Sequence, residues 1–113
     1  MQFKETTVGN ILVTTVLDNR IAEAVSSELK AALVAHFERH RGAVVLDLGE
    51  VSFIDSSGLA ALVAVLKSLE GGNLVLCGLT GAVANMFKLT RMDKVFRIFP
   101  TAQDAVSALS DQG

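Results

Sequence analysis

Two serines and an aspartate lie at a predicted junction between a buried strand and a helix, in the segment Asp55-Ser56-Ser57-Gly58. Residues 43–48 form an apolar run rich in β-branched side chains, which predicts a strand buried on both faces. In residues 59–69 the large apolar side chains recur at helical spacing, and the glycine pair at 71–72 ends that helix. The first backbone N–H groups of a helix are unpaired and attract negative charge. The two hydroxyls therefore lie where either a helix cap or an added anionic group is favoured.

Composition limits the classes of protein to which the chain can belong. Its 113 residues suit one domain, residues 1–113, that buries about two-thirds of its unfolded surface. A net charge of −2 gives no electrostatic argument for binding nucleic acid or an anionic membrane. The amino-terminal residues do not resemble a signal peptide, and the longest uncharged run, residues 71–87, contains too many glycines to insert into a membrane. The single cysteine, Cys77, excludes an internal disulfide and favours a reducing, cytoplasmic location.

The remaining periodicities predict an α/β domain with the order β-β-α-β-α-β-α-β-α and a mixed β-sheet. The strands are predicted at residues 3–8, 11–17, 43–48, 73–77 and 95–99. The helices are predicted at residues 22–39, 59–69 and 81–90, with a last one opened by Thr101 and Asp104 as a capping box. Hydrophobic residues make up 50% of the chain against 19% charged. Helices that cover both faces of a sheet account for such a content, and so does an apolar surface that binds a partner.

One segment carries a resemblance to a known family. The residues Val-Ser-Phe-Ile-Asp-Ser-Ser-Gly-Leu at 51–59 resemble the signature of the STAS domain of bacterial anti-sigma-factor antagonists. The pair Leu17-Asp18, the stretch 83–99 and the predicted element order match the same family, so the resemblance covers essentially the whole chain. The family usually carries a glycine shortly before the Leu-Asp pair, whereas Thr14 and Thr15 occupy those positions here.

The resemblance implies a regulatory function in signal transduction and transcription regulation. It implies that Ser56, directly after the aspartate, is phosphorylated by a partner that is both an anti-sigma factor and a serine kinase, and that a serine phosphatase is a further partner. In the unphosphorylated form the segment from Asp55 to about residue 66 binds the anti-sigma factor and frees a sigma factor, which is partner switching. The expected partner-binding residues are Asp55, Ser56, Ser57, Gly58, Leu59, Ala61 and Ala64. A charge at Ala61 or Ala64 is expected to weaken binding more than folding.

Two other functions use the same surface. One is a STAS subunit of a transport or signalling assembly that binds its partner without ever being phosphorylated. The other is a scaffold subunit of a signalling complex, in which the serine is phosphorylated but no sigma factor lies downstream. Because the partner defines these functions, the sequence does not distinguish between them.

Enzymatic functions find little support in the sequence. A response-regulator receiver needs an acidic pair after its first strand and a lysine after its last, but Pro100 follows the last predicted strand. His36 and His40 lie late in the first predicted helix, about 15 Å or more from Ser56, which is too far for a serine hydrolase. They also lack the further ligands of a zinc site, and no glycine-rich phosphate loop occurs. We therefore expect no enzymatic activity, no cofactor and no metal.

Two remaining features have a structural and a functional interpretation. Cys77 ends an apolar strand, which is typical of a buried, unreactive thiol rather than a reactive one. A modest basic cluster consists of Lys88, Arg91, Lys94 and Arg97. Such a cluster is most often a solvated face, and its functional alternative is a contact with an acidic partner or with a phosphate on Ser56.

Overall fold

Seven strands, four α-helices and one 3₁₀ turn occur in the part of the chain that the computed structural model describes, residues 2–39, 42–68 and 74–111. The strands are β1 (Phe3–Val8), β2 (Ile11–Val16), β3 (Arg20–Ile21), β4 (Val44–Asp47), β5 (Phe53–Ile54), β6 (Leu74–Cys77) and β7 (Ile98–Phe99). The helices are α1 (Glu23–Arg39), α2 (Ser56–Ser68), α3 (Gly81–Leu89) and α4 (Ala102–Asp111), and the 3₁₀ turn covers Met92–Lys94. The predicted α/β class is confirmed.

The main sheet has five strands in the order β1-β2-β4-β6-β7. Strands β1 and β2 form an antiparallel hairpin, and Gly9 adopts a φ of 63° in the turn between them. The other neighbouring strands of this sheet run parallel, so the sheet is mixed, as the sequence predicts. The predicted order of five strands and four helices corresponds to this sheet and the helices that connect it.

Helices cover both faces of the main sheet. On one face Val44 and Leu46 of β4 belong to the larger core, to which α1, α2 and α3 contribute. On the other face Val45 belongs to a smaller core closed by Ala105 of α4. Each fully buried aliphatic side chain of this kind stabilises the fold by about 1.5–3 kcal/mol. These two cores account for much of the hydrophobic content, and in the described ranges no helix is both long enough and apolar enough to cross a membrane.

A second, two-stranded sheet lies next to the serine segment. Strand β3 pairs in parallel with β5, with Arg20 opposite Phe53 and Ile21 opposite Ile54. The backbone N–H of Asp55 donates to the carbonyl oxygen of Ile21 over 3.1 Å, which extends this pairing to the start of α2. The sequence does not predict these strands, because two residues are too few to show a periodicity. Asp55 therefore follows β5 and not the central strand β4.

The last strand is shorter than predicted. Residues 95–99 alternate in hydropathy, but only Ile98 and Phe99 pair with β6. The preceding chain forms the 3₁₀ turn, and Phe96 turns into the larger core, where its ring lies 6.1 Å from that of Phe87 in an edge-to-face arrangement. The predicted carboxyl end of the second helix, with its glycine pair at 71–72, lies outside the described residues, as does His40.

Candidate functional site

Ser56 is the first residue of α2, and its side chain is exposed. Asp55, directly before it, caps the helix, since its Oδ1 accepts a hydrogen bond of 2.9 Å from the Gly58 backbone N–H. The Asp55 carbonyl oxygen accepts the first intrahelical bond, 3.1 Å from the Leu59 N–H. Asp55 is therefore the amino-terminal cap of the helix that carries both serines. The Ser56 hydroxyl lies in the first helical turn, where the helix dipole favours negative charge.

Ser57, in contrast, is bonded inward. Its Oγ donates a hydrogen bond of 2.7 Å to Asp55 Oδ1 and lies 3.2 Å from the Oγ of Ser26. Ser26 is a buried residue of α1, and its Oγ also donates to the carbonyl oxygen of Ala22 over 2.9 Å. The Ser56 side chain makes no hydrogen bond to any residue within the described ranges. The two adjacent serines thus differ in environment, one exposed and the other engaged between two helices.

Gly58 fixes how closely α2 approaches the small sheet. A Cβ atom at this position would lie 2.8 Å from Cγ1 of Ile54 and 2.9 Å from both Cγ2 and the carbonyl oxygen of Ile21. Such distances are shorter than carbon atoms tolerate, and one of the clashing atoms belongs to backbone that cannot easily move. Glycine therefore lets the first turn of α2 rest directly on β3 and β5, which holds Ser56 in place.

A shallow apolar groove runs along the exposed side of α2. Its volume is about 410 Å³, and most of its lining side chains are apolar. The residues of α2 that line it are Ser56, Leu59, Ala60, Val63, Ala64 and Lys67, and Thr90 and Met92 lie across from them. No carboxylate is among these lining residues. We call this the α2 groove; Ser56 lies at the amino end of its helical side.

The structure corrects the predicted outward face of α2. Ala61 is only 8% exposed, and Leu62 and Val65 on the same side of the helix are fully buried. A charge at Ala61 would therefore be buried, and in contrast to the expectation from the sequence we expect it to weaken folding. Ala60 is the exposed alanine of this turn, whereas Ala64 is half-buried and lines the groove. So apolar a helix hides this distinction in the sequence, since both of its faces carry aliphatic residues.

The other predicted site residues lie away from this groove. Cys77 is fully buried at the end of β6, as predicted, and burial together with the nearby charge of Asp47 raises the pKa of its thiol to about 12. His36 lies in α1, and its predicted separation from Ser56 stays a prediction. Within the described ranges no three His, Cys, Asp or Glu side chains lie close enough together to hold a metal ion.

The basic cluster is exposed throughout. Lys88, Arg91, Lys94 and Arg97 all lie on the surface between α3 and β7. The Arg97 guanidinium lies 5.4 Å from the centre of the Phe99 ring, a cation–π distance. Arg91 adopts a φ of 63°, which places its backbone in the left-handed region. Arg91 is thus the one residue of the cluster with a left-handed backbone, and its sequence neighbours Thr90 and Met92 line the α2 groove.

Two parts of the site were not predicted from the sequence. Ser26 reaches Ser57 from a separate helix, and Thr90 with Met92 forms the far side of the groove. None of these contacts is local in sequence, so no motif spacing could have indicated them. Only the helical periodicity of α1 places Ser26 near its inward face, beside the buried Leu29 and Leu33.

The chain is similar to known proteins over most of its length. The STAS domain family matches residues 4–105. BtrV of Bordetella bronchiseptica, named a candidate anti-sigma factor antagonist, is 32% identical over 94 residues, and the match covers 81% of each protein. An anti-sigma factor antagonist from Mycobacterium paratuberculosis has a similar structure, with a TM-score of 0.86 and 26% identity over 96% of this chain and 93% of that one. The murine anion transporter Slc26a9 contains the same fold, with a TM-score of 0.80 and 20% identity over 94% of this chain and 18% of that one. The chain therefore belongs to the STAS domain family.

Proposed function

We propose that this chain is an anti-sigma-factor antagonist whose binding to an anti-sigma factor is switched off by phosphorylation of Ser56. The observation that carries the proposal is the opposite placement of two adjacent serines. Ser56 is exposed at the end of the α2 groove, whereas the Ser57 hydroxyl is bonded to Asp55 and lies next to that of Ser26. A kinase can reach the first hydroxyl without disturbing the fold. The relatives named as antagonists support the same function.

In the unphosphorylated form the α2 groove binds the anti-sigma factor. Ala60, Val63 and Ala64 offer apolar area that water covers in the free chain, whereas Leu59 is buried at the base of the groove. Burying such area drives association, and polar residues at the margin provide orientation. The occupied anti-sigma factor then releases its sigma factor, which permits transcription. The chain acts by binding, and this role is regulatory rather than catalytic.

The modification is an ordinary phosphoryl transfer in which this chain is the substrate. The partner's kinase activity transfers the γ-phosphoryl group of ATP to Oγ of Ser56; the hydroxyl loses its proton and ADP leaves. A serine phosphatase hydrolyses the resulting ester, which restores the hydroxyl and releases inorganic phosphate. The exposed side chain of Ser56 suits both reactions, because neither enzyme has to unfold α2 to reach it.

The added charge acts differently in the free chain and in the complex. A phosphate adds about −1.5 to −2 charges at neutral pH. In the free chain the amino terminus of α2 stabilises this charge by about 0.3–1 kcal/mol. In the complex the same phosphate lies at the interface beside Asp55. It faces partner groups that are arranged to contact a neutral hydroxyl. Placing like charges next to each other in such an interface costs several kcal/mol. The switch is local electrostatics and requires no refolding.

Phosphorylation in vitro tests the proposal. Each anti-sigma-factor kinase encoded in the source genome is purified and incubated with the chain and ATP, and the product is analysed by intact mass. We expect one phosphate on the parental chain and on Ser57→Ala, and none on Ser56→Ala. If Ser56→Ala is labelled to the same extent as the parental chain, the site is wrong. If a kinase binds tightly but labels no variant, the non-phosphorylated STAS subunit becomes the better account.

A further inference from the structure

Arg91 has a backbone conformation that its side chain does not favour. It follows Thr90, the carboxyl-terminal cap of α3, with a φ of 63° and a ψ of 18°. Among the described residues it is the only non-glycine with a positive φ. The turn itself requires such a residue, since the Arg91 N–H donates to the Lys88 carbonyl oxygen and its own carbonyl accepts from Lys94. Glycine is the usual residue at this position of a helix end and adopts it without strain.

The side chain of Arg91 does not compensate for this strain within the chain. Arg91 is exposed, and across residues 2–39, 42–68 and 74–111 its guanidinium makes no hydrogen bond or ion pair. Residues with a strained backbone conformation cluster at ligand-binding sites and switch regions. The exposed guanidinium of Arg91 is therefore available to a group outside this chain.

Arg91 lies between two residues of the α2 groove, since its neighbours in sequence, Thr90 and Met92, both line the groove across from α2. On the α2 side Lys67 lines the groove as its only charged residue. Asp93, the nearest carboxylate in sequence, is exposed and lines a separate cavity with Lys88. The groove lining therefore contains one cation, Lys67, and no carboxylate, and the exposed Arg91 lies between two residues of its opposite side without itself lining it.

We propose that Arg91 is a specificity-determining contact of the α2 groove, and that the groove takes an acidic amphipathic segment of the anti-sigma factor. The apolar side chains of that segment fill the floor, while its Asp or Glu side chains approach Arg91 and Lys67. Charge complementarity selects this occupant over a neutral or basic one. Arginine offers carboxylates a planar pair of donors, which adds orientation to attraction. This inference rests on the proposed function of the groove and names the chemistry of its partner.

An acidic partner also strengthens the proposed switch. Ser56 lines the same groove that the acidic segment enters. A phosphate on Ser56 then repels the partner's carboxylates in addition to disturbing the contact made by the neutral hydroxyl. One feature of the partner, its acidity, thus explains both attraction to the unmodified chain and rejection of the phosphorylated one.

Three variants test the inference by their association rates with the purified anti-sigma factor. Arg91→Gly removes the charge and the strain together, and Arg91→Lys keeps both. Lys4→Gln is the matched control, since Lys4 is an exposed cation on β1 that does not line the groove. Exposed charges at an interface act mainly on association and are screened by salt, so rates are measured at about 0.05 M and about 0.5 M salt.

We expect Arg91→Gly to associate about five to ten times more slowly than the parental chain at low salt and within about twofold at high salt. Arg91→Lys and Lys4→Gln should stay within about threefold at both. Arg91→Gly should also raise the melting temperature, by about 2–5 °C, because the left-handed residue becomes glycine. A structural role for Arg91 predicts the reverse, a lower melting temperature with unchanged association.

The outcomes separate this inference from the proposed function. Equal low-salt association of Arg91→Gly and the parental chain overturns the role of Arg91. If its only defect appears in the phosphorylated chain, the guanidinium binds the phosphate and the acidic-segment proposal is wrong. Slower association of Arg91→Gly together with equal affinities of Ser56→Asp and Ser56→Ala supports the groove contact and contradicts the phosphorylation switch. If the parental chain binds no anti-sigma factor, both proposals fail.

Discussion

Ser57 donates a hydrogen bond of 2.7 Å to the carboxylate of Asp55, the same carboxylate oxygen that caps the backbone of α2. This bond turns one serine of the pair toward the protein, and helical geometry then points its neighbour Ser56 in another direction. The carboxylate thus does two things with one oxygen: it starts the helix and it selects which hydroxyl is exposed. Because the capping carboxylate binds Ser57, Ser56 is the exposed serine and therefore the proposed phosphorylation site.

Replacement of Gly58 tests whether α2 rests directly on the small sheet. Gly58→Ala places a Cβ atom within 2.9 Å of Ile54 and Ile21. Because one contact is to the carbonyl oxygen of Ile21, we expect the free energy of unfolding to fall by about 1–3 kcal/mol, as in other overpacked sites. Urea denaturation measures this value. Ala60→Ser, on the exposed side of the same helix, is the control and should change it by about 0.5 kcal/mol or less. A Gly58→Ala variant as stable as this control would mean that the helix is not held so closely.

Thr14 carries an uncompensated hydroxyl in the larger core. Its side chain is fully buried, and its Oγ1 has no hydrogen-bond partner among the described residues. Thr14→Val keeps the shape and removes the hydroxyl, so we expect stability to rise by about 1 kcal/mol. Thr15→Val, half-buried on the other face of β2, should change stability by less than half of that. If Thr14→Val is destabilised in thermal or urea unfolding, the hydroxyl has a partner such as a buried water molecule.

Substitutions at two neighbouring alanines of α2 distinguish an effect on binding from an effect on folding. Ala60→Glu and Ala61→Glu make the same substitution, and both residue types are good helix formers. Ala61 is 8% exposed, so a carboxylate there should lower the free energy of unfolding by at least about 2 kcal/mol. Ala60 is exposed in the α2 groove, so its variant should fold normally and bind an acidic partner about tenfold more weakly or worse. Melting curves and titrations against the anti-sigma factor check the two effects. A normal fold for Ala61→Glu would contradict the assigned inner face.

The raised pKa of Cys77 predicts how stability depends on alkaline pH. The thiol is protonated in the folded chain up to a pKa of about 12, against an ordinary value of 9.0, because burial and the charge of Asp47 disfavour the thiolate. Above pH 9 the unfolded chain loses this proton while the folded one keeps it, so stability falls as pH rises. The chain has no tyrosine to obscure this effect. Cys77→Ala should therefore lose part of the decline between about pH 9 and pH 10 in urea titrations. An identical decline in both proteins would show that the thiol titrates normally.

Much of this structure follows from patterns that are local in sequence. The apolar run in β4 and the helical spacing in α2 predict the order of elements, and the Asp-Ser-Ser-Gly segment between them indicates the site. The features that the sequence does not predict depend on contacts between residues that are far apart in the chain. The pairing of β3 with β5 involves only two residues on each strand. Phe96 leaves a strand-like pattern and instead packs edge to face against Phe87 in the larger core. The burial of Ala61 is likewise not predictable from the sequence, since alanine fits either face of a helix and only packing against neighbouring elements decides.

The central claim is that charge at Ser56 controls binding of the anti-sigma factor, and calorimetric titration of two variants tests it most directly. Ser56→Ala and Ser56→Asp should both melt within a few degrees of the parental chain, because Ser56 is exposed and aspartate is tolerated in the first helical turn. We expect Ser56→Ala to bind with an affinity near that of the parental chain. Ser56→Asp should bind about thirtyfold more weakly, a loss of about 2 kcal/mol. Equal affinities of the two variants would contradict the account and would favour a STAS subunit that is never switched by phosphorylation.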